Sequence, residues 1–126
     1  MLELYIEYEY GYLVRSGFEK FSPKAMLAVN PAKLTIEDCL LVGTEFQKKV
    51  WKAISEIPAG EIRTYGELVR ICGGSPQSVG TACGRNKIPY IIPCHRVVGK
   101  TNKLAYSAGK GAETKRELLR LEGITI

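Results

Sequence analysis

Three helix starts fall between residues 44 and 76, and together they dictate how the middle of the chain can fold. "TEFQ" places Thr44 as an N-cap with Gln47 three residues on, and "TYGE" repeats the arrangement with Thr64 and Glu67. Ser75-Pro76 supplies a serine cap followed by proline at the first helical position. Each start has its own stop. Phe46, Val50, Ile54 and Ile57 recur at helical spacing until "PAG", and Leu68, Val69 and Cys72 are closed by Gly73-Gly74. The third helix is expected to run to Arg85 or Asn86. The second and third, joined by "GGS", form a helix-turn-helix candidate over residues 64–86. Gln77, Ser78, Thr81 and Arg85 give the latter helix small and polar side chains suited to lying along a nucleic-acid backbone.

Upstream the period changes. "LELYIEYEY" alternates, with Leu2, Leu4, Ile6, Tyr8 and Tyr10 on one face, as in a half-buried strand. Gly11 turns the chain into a second β-prone piece, "YLVRSGFEKF", and residues 22–43 read as a connector with one short helix. The expected class is α+β. A small β layer over residues 1–43 precedes a mainly helical domain over residues 44–126.

At 126 residues the chain is one domain, or one domain with a small appendage. With 45% hydrophobic and 25% charged residues it has the balance of a globular protein. No apolar run reaches the roughly 18 residues that would cross a bilayer. The acids in "MLELYIEYEY" do not suit a signal peptide, so a cytoplasmic location is expected, or a nuclear one in a eukaryote. Four scattered cysteines (Cys39, Cys72, Cys83, Cys94) without a C-x-x-C pair argue against a disulfide framework. A single histidine beside a cysteine is a poor start for a metal site, and none is expected. The net charge of +5 is uneven: −3 over residues 1–45 and +8 over residues 46–126, which suggests that the C-terminal part faces a polyanion.

The chemistry concentrates in "YIIPCHRVVG", residues 90–99. Pro89 and Pro93 forbid a helix there. Cys39, Cys72 and Cys83 read as small buried hydrophobes, Cys83 on the inner face of its helix with Val79. Cys94 differs, because a basic residue at each of the next two positions favours thiolate over thiol. In an extended segment Cys94 and His95 would point to opposite faces, so a turn or a bridging water is needed. His95 as a base also requires an acceptor on its far nitrogen, and Glu113, Glu117 and Glu122 are the late carboxylates available. An acyl electrophile would give a thioester to be hydrolysed through an oxyanion hole. An alkyl carbon would give a thioether, and the protein would act once. The motif by itself leaves both open.

"PCHRVV", preceded by "GRNKIPYII" and followed by "YSAG" and "KRELLRLEG", resembles the active-site region of the O6-alkylguanine-DNA alkyltransferases, the methylated-DNA–protein-cysteine methyltransferases. The likeness extends upstream through "FQKKVWKAISEIPAGEIRTYGEL" and covers about residues 44–124. It implies repair by direct reversal. A helix-turn-helix enters the minor groove of double-stranded DNA, the damaged guanine is rotated out, and its O6-alkyl group passes irreversibly to a cysteine. O4-alkylthymine is a further possible substrate, no cofactor is needed, and a monomer is expected.

By the same resemblance, Cys94 matches the acceptor, His95 the base acting through a water, and Glu122 the carboxylate that orients it. Asn86 matches the asparagine tying the helix pair to the active-site loop, and Tyr65 the tyrosine whose hydroxyl addresses guanine N3. Ser107 matches the residue whose backbone N–H meets O6. Pro89, Tyr106 and Ala108 belong to the substrate pocket, where the carbonyls of Cys94 and Val97 would read the guanine amino group. Three departures stand out. Gln77 replaces the usual arginine that fills the gap left by the flipped base, Ala108 stands where glycine is common, and the N-terminal region is short. Two rivals remain: a non-catalytic alkyltransferase-like lesion-binding protein, and a cysteine hydrolase of small acyl substrates.

Overall fold

The computed structural model describes residues 2–100 and 111–125. Tyr5–Glu9 (β1) and Tyr12–Gly17 (β2) form an antiparallel hairpin. Tyr10 and Gly11 turn it with φ of 53° and 83°, the paired positive values that a tight hairpin turn demands. A third strand, Met26–Leu27 (β3), adds to the other edge of β1.

The expected alternation holds only for the first half of β1. Leu4 and Ile6 are buried, but Tyr8 is 41% exposed and Tyr10 is 92% exposed. A bulge between Glu7 and Tyr8 shifts the register, and Tyr10 belongs to the turn, so the tyrosines leave the inward face. The connector also departs from expectation. Instead of one short helix, it holds β3 and two 3-10 turns, Pro31–Lys33 and Ile36–Asp38, the second capped by Thr35.

All three helix starts form their caps. The first helix, Glu45–Ser55 (α1), has Gln47 N–H donating to Thr44 Oγ1 at 3.1 Å and buries Val50, Trp51 and Ile54. Tyr65–Cys72 (α2) starts on the Thr64–Glu67 box, and Pro76–Gly84 (α3) on Ser75–Ser78. Arg85 is the C-cap of α3, so the last helical residue is Gly84, one short of the expected range. The indole N–H of Trp51 donates to Ala82 O at 2.8 Å and bolts α1 to α3. The last helix is Ala112–Leu121 (α4), with Leu118 and Leu119 buried.

Two long-range links position the site. Arg63–Thr64 (β4) pairs in parallel with Val97–Val98 (β5), so the start of α2 lies beside the turn that precedes Val97. At the opposite side, Ser16 of β2 donates its N–H to Lys87 O at 3.0 Å and its hydroxyl to Pro89 O at 2.7 Å. With Leu4, Ile6 and Leu13 in the same core as the helices, the sheet braces the loop that leads to Cys94.

Candidate active site

The backbone between α3 and β5 is built around one side chain. Asn86 Nδ2 donates to Ile92 O at 3.0 Å and contacts Cys94 Sγ at 3.2 Å, while its Oδ1 accepts from Ile88 N–H at 2.9 Å. Cys94–Arg96 then forms a 3-10 turn, which resolves the problem of neighbouring side chains facing apart. Tyr90, just upstream, is held at φ 73°, a region costly for a residue with a Cβ, and its ring stacks on His95 with centroids 6.2 Å apart.

His95 is completely buried. Its Nε2 lies 2.9 Å from Glu122 Oε2. Glu122 also receives Arg96 Nε at 2.9 Å, Arg96 Nη2 at 2.8 Å and the Gly60 N–H at 3.3 Å, while Arg96 Nη1 donates to Ile57 O at 2.8 Å. Burial opposes ionisation of Glu122, but the hydrogen bonds and charges of His95 and Arg96 outweigh it and hold its pKa at about 2. A carboxylate so ionised can only accept, so Nε2 carries the imidazole proton. Burial lowers the pKa of His95 despite Glu122, which keeps the ring neutral at pH 7. Nδ1 then holds a bare lone pair, and it is the one buried side-chain polar atom without a hydrogen-bond partner among the described residues.

The expectation that His95 and Arg96 would stabilise a thiolate at Cys94 is not met. Both side chains turn to Glu122. The neighbouring Cys83 thiol and burial push the Cys94 thiol well above the usual range, with only Asn86 and Lys115 pulling it down. The resting sulfur is a thiol that must lose its proton to a base. Cys83 is also not the buried hydrophobe expected: it is half-buried, and its thiol meets that of Cys94. Cys39 is likewise half-buried, since it sits in the connector just after the second 3-10 turn, whereas Cys72 is buried as expected.

Tyr65 is the first residue of α2 and half-buried, near enough to both Cys83 and Cys94 to feel their charge. Burial first, then those thiols, raise its pKa to about 12, so the phenol keeps its proton. It lines a cleft of about 550 Å³ together with Thr64, Gly66, Arg70, Pro76 and Lys100. Gln77, Thr81 and Arg85 lie exposed on and just after α3, but the Ser78 hydroxyl is engaged with Ser75 in the cap. Thr81 Oγ1 bonds back to Gln77 O at 3.0 Å. Pro89 and Val97 are buried. Tyr106, Ser107 and Ala108 lie outside the described residues.

Lys115 was not foreseen. It is completely buried, and its Nζ donates to Val97 O. Burial lowers its pKa to about 8, against the pull of Cys83 and Cys94. Its spacing held the signal: 115, 118, 119 and 122 share one face of α4, so Lys115 points inward with Leu118, Leu119 and Glu122.

Residues 45–124 match the family model described as "6-O-methylguanine DNA methyltransferase, DNA binding domain", nearly two thirds of the chain and every described candidate residue. The chain belongs to the 6-O-methylguanine DNA methyltransferase family. Among its relatives, a methylated-DNA–protein-cysteine methyltransferase of Candida albicans is 46% identical over 114 residues, 90% of this chain and 63% of that protein. One from Methanosarcina acetivorans is 52% identical over 64% of this chain and 53% of its own length. The chain therefore spans less than two thirds of these curated methyltransferases. The α+β fold is shared with the Mycobacterium tuberculosis OGT solved in complex with DNA: TM-score 0.77, 35% identity, 94% of this chain and 85% of that one. Similarity extends to the S. pombe Atl1 protein, solved with damaged DNA containing O6-carboxymethylguanine: TM-score 0.55, 28% identity, 68% of this chain and 82% of that one.

Proposed function

We propose that this protein repairs DNA by direct reversal, moving a methyl or small alkyl group from guanine O6 to Cys94. What carries the reading is the neutral, buried His95, fixed through Nε2 by Glu122 and bare at Nδ1, in the same turn as the thiol. The Cys94 proton passes to Nδ1 by way of a bridging water, as the family resemblance implies, and the resulting imidazolium is stabilised by Glu122. The thiolate then attacks the alkyl carbon. The carbon–O6 bond breaks with its electron pair left on guanine, and Tyr65, a phenol at about 12, donates its proton toward N3. The thioether formed is not cleaved by water, so each molecule acts once.

We further read α2 and α3 as a helix-turn-helix directed at the minor groove, with the +8 charge of residues 46–126 drawing the duplex. Residues 1–43 serve as a bracing β region and residues 44–126 as the DNA-binding and catalytic domain. Val97 O already accepts from Lys115, which leaves its second lone pair for the guanine amino group. Resemblance to methyltransferases of known name, with DNA complexes among the solved relatives, supports the class of partner.

The deciding experiment is intact-mass spectrometry after mixing with duplex carrying O6-methylguanine. The expected result is a gain of one methyl in place of hydrogen, mapped to Cys94 and absent in Cys94→Ala. Tight binding with no change in mass would replace the reading with lesion recognition, and repeated turnover would replace it with hydrolysis.

A further inference from the structure

The thiol next to the acceptor has no part in the chemistry above. Cys83 closes α3, and Asn86 joins it to Cys94: its backbone N–H donates to Cys83 O at 3.2 Å, while its side chain contacts Cys94 Sγ at 3.2 Å. The two side chains lie near enough to act on each other's ionisation, and the Lys115 ammonium is close enough to act on both. A cation beside a pair of thiols lowers the cost of ionising one of them. The other two cysteines are engaged elsewhere, Cys39 with Thr35 O at 3.5 Å and Cys72 with Lys49 O at 3.8 Å.

We propose that Cys83 and Cys94 form a dithiol modification site that closes to an internal disulfide when a peroxide reaches it. Cys83, the more exposed of the two, is the entry point, whereas Cys94 is only 4% exposed. The Cys83 thiolate attacks one peroxide oxygen, the O–O bond breaks, and Cys83 becomes a sulfenic acid. The Cys94 sulfur then attacks the sulfenyl sulfur. An S–S bond forms, the S–O bond breaks, and the departing hydroxide takes the Cys94 proton. Two thiols give up two electrons, and one hydrogen peroxide becomes two waters. A lone Cys83 sulfenic acid would continue to sulfinic and sulfonic acids, which thiols do not reverse. With Cys94 as resolving partner, oxidation stops at a bond that a thiol reductant reopens. The consequence for repair, a masked acceptor, rests on the function proposed above.

The test treats the full chain with hydrogen peroxide and measures intact mass without reductant. The monomer is expected to lose two hydrogens, with the Cys83 and Cys94 peptides cross-linked and dithiothreitol restoring both thiols. A Cys39→Ser/Cys72→Ser double variant should behave the same way. Cys83→Ser and Cys83→Ala should lose no hydrogens and form no cross-link, and Cys94→Ser should instead gain oxygen at Cys83. Oxygen addition at Cys94 in the unsubstituted protein, a bond mapped to Cys39 or Cys72, or no change in mass would overturn the proposal. In parallel, methyl uptake from O6-methylguanine duplex should fall one for one with the fraction oxidised and return on reduction. Loss of methyl uptake in the reduced protein, with the disulfide still forming, would count against the repair reading alone.

Discussion

Glu122 accepts from an imidazole, a guanidinium and a backbone amide at once, and its charge is what lets it serve all three. A Glu122→Gln variant keeps the shape but presents an NH2 group to donors, so Nε2 loses the acceptor that fixes its proton. Methyl uptake should slow by about 10²-fold or more, within the range that a positioned acid–base group supplies. The same substitution has a signature in stability. The native pKa near 2 lies below the ordinary value of 4.5, so the contribution is complete above that ordinary value and is lost as pH falls toward 2. Thermal melts should therefore decline less steeply between pH 4.5 and 2 in the variant than in the parent. Asn86→Ala strands the Ile88 N–H and leaves Ile92 O with the Cys94 N–H alone, and urea denaturation should show a loss of about 1–3 kcal/mol. The sequence motif named Cys94, His95 and Asn86, yet it gave the sulfur the wrong neighbours. Which way a side chain turns within a 3-10 turn depends on partners 26 and 27 residues away.

Helix starts were legible because a capping box is local: hydroxyl and acceptor lie three residues apart, and nothing distant is needed. The β4–β5 pairing was not, since two residues on each side leave no periodicity to detect. That short pairing ties the start of α2 to the turn that holds Cys94. Thr64 is both N-cap of α2 and the partner of Val98, so Thr64→Ala should cost about 1 kcal/mol in thermal or urea unfolding from the cap alone. On α3, Gln77 is exposed and uncharged where the family resemblance leads one to expect arginine. Gln77→Arg should tighten DNA binding and steepen the log–log salt dependence by about one unit, measured by titration at several salt concentrations. Unchanged affinity and transfer rate would remove Gln77 as the cause of any weakness.

At the level of the whole molecule, the uneven charge and the β-then-helix order could be read directly, because both are sums over many residues. The docking of the sheet could not. Ser16 looks like any strand serine until its hydroxyl is found on Pro89 O, 73 residues away. That bond, with Leu13 in the shared core, makes the N-terminal hairpin a support for the loop that leads to Cys94. One feature of this arrangement reaches beyond the finished protein. Glu122, the partner of His95 Nε2, is synthesised 28 positions after Cys94. A nascent chain leaving the ribosome holds His95 without its carboxylate partner until α4 docks. On the single-use chemistry proposed above, the sulfur would stay unspent until α4 is in place.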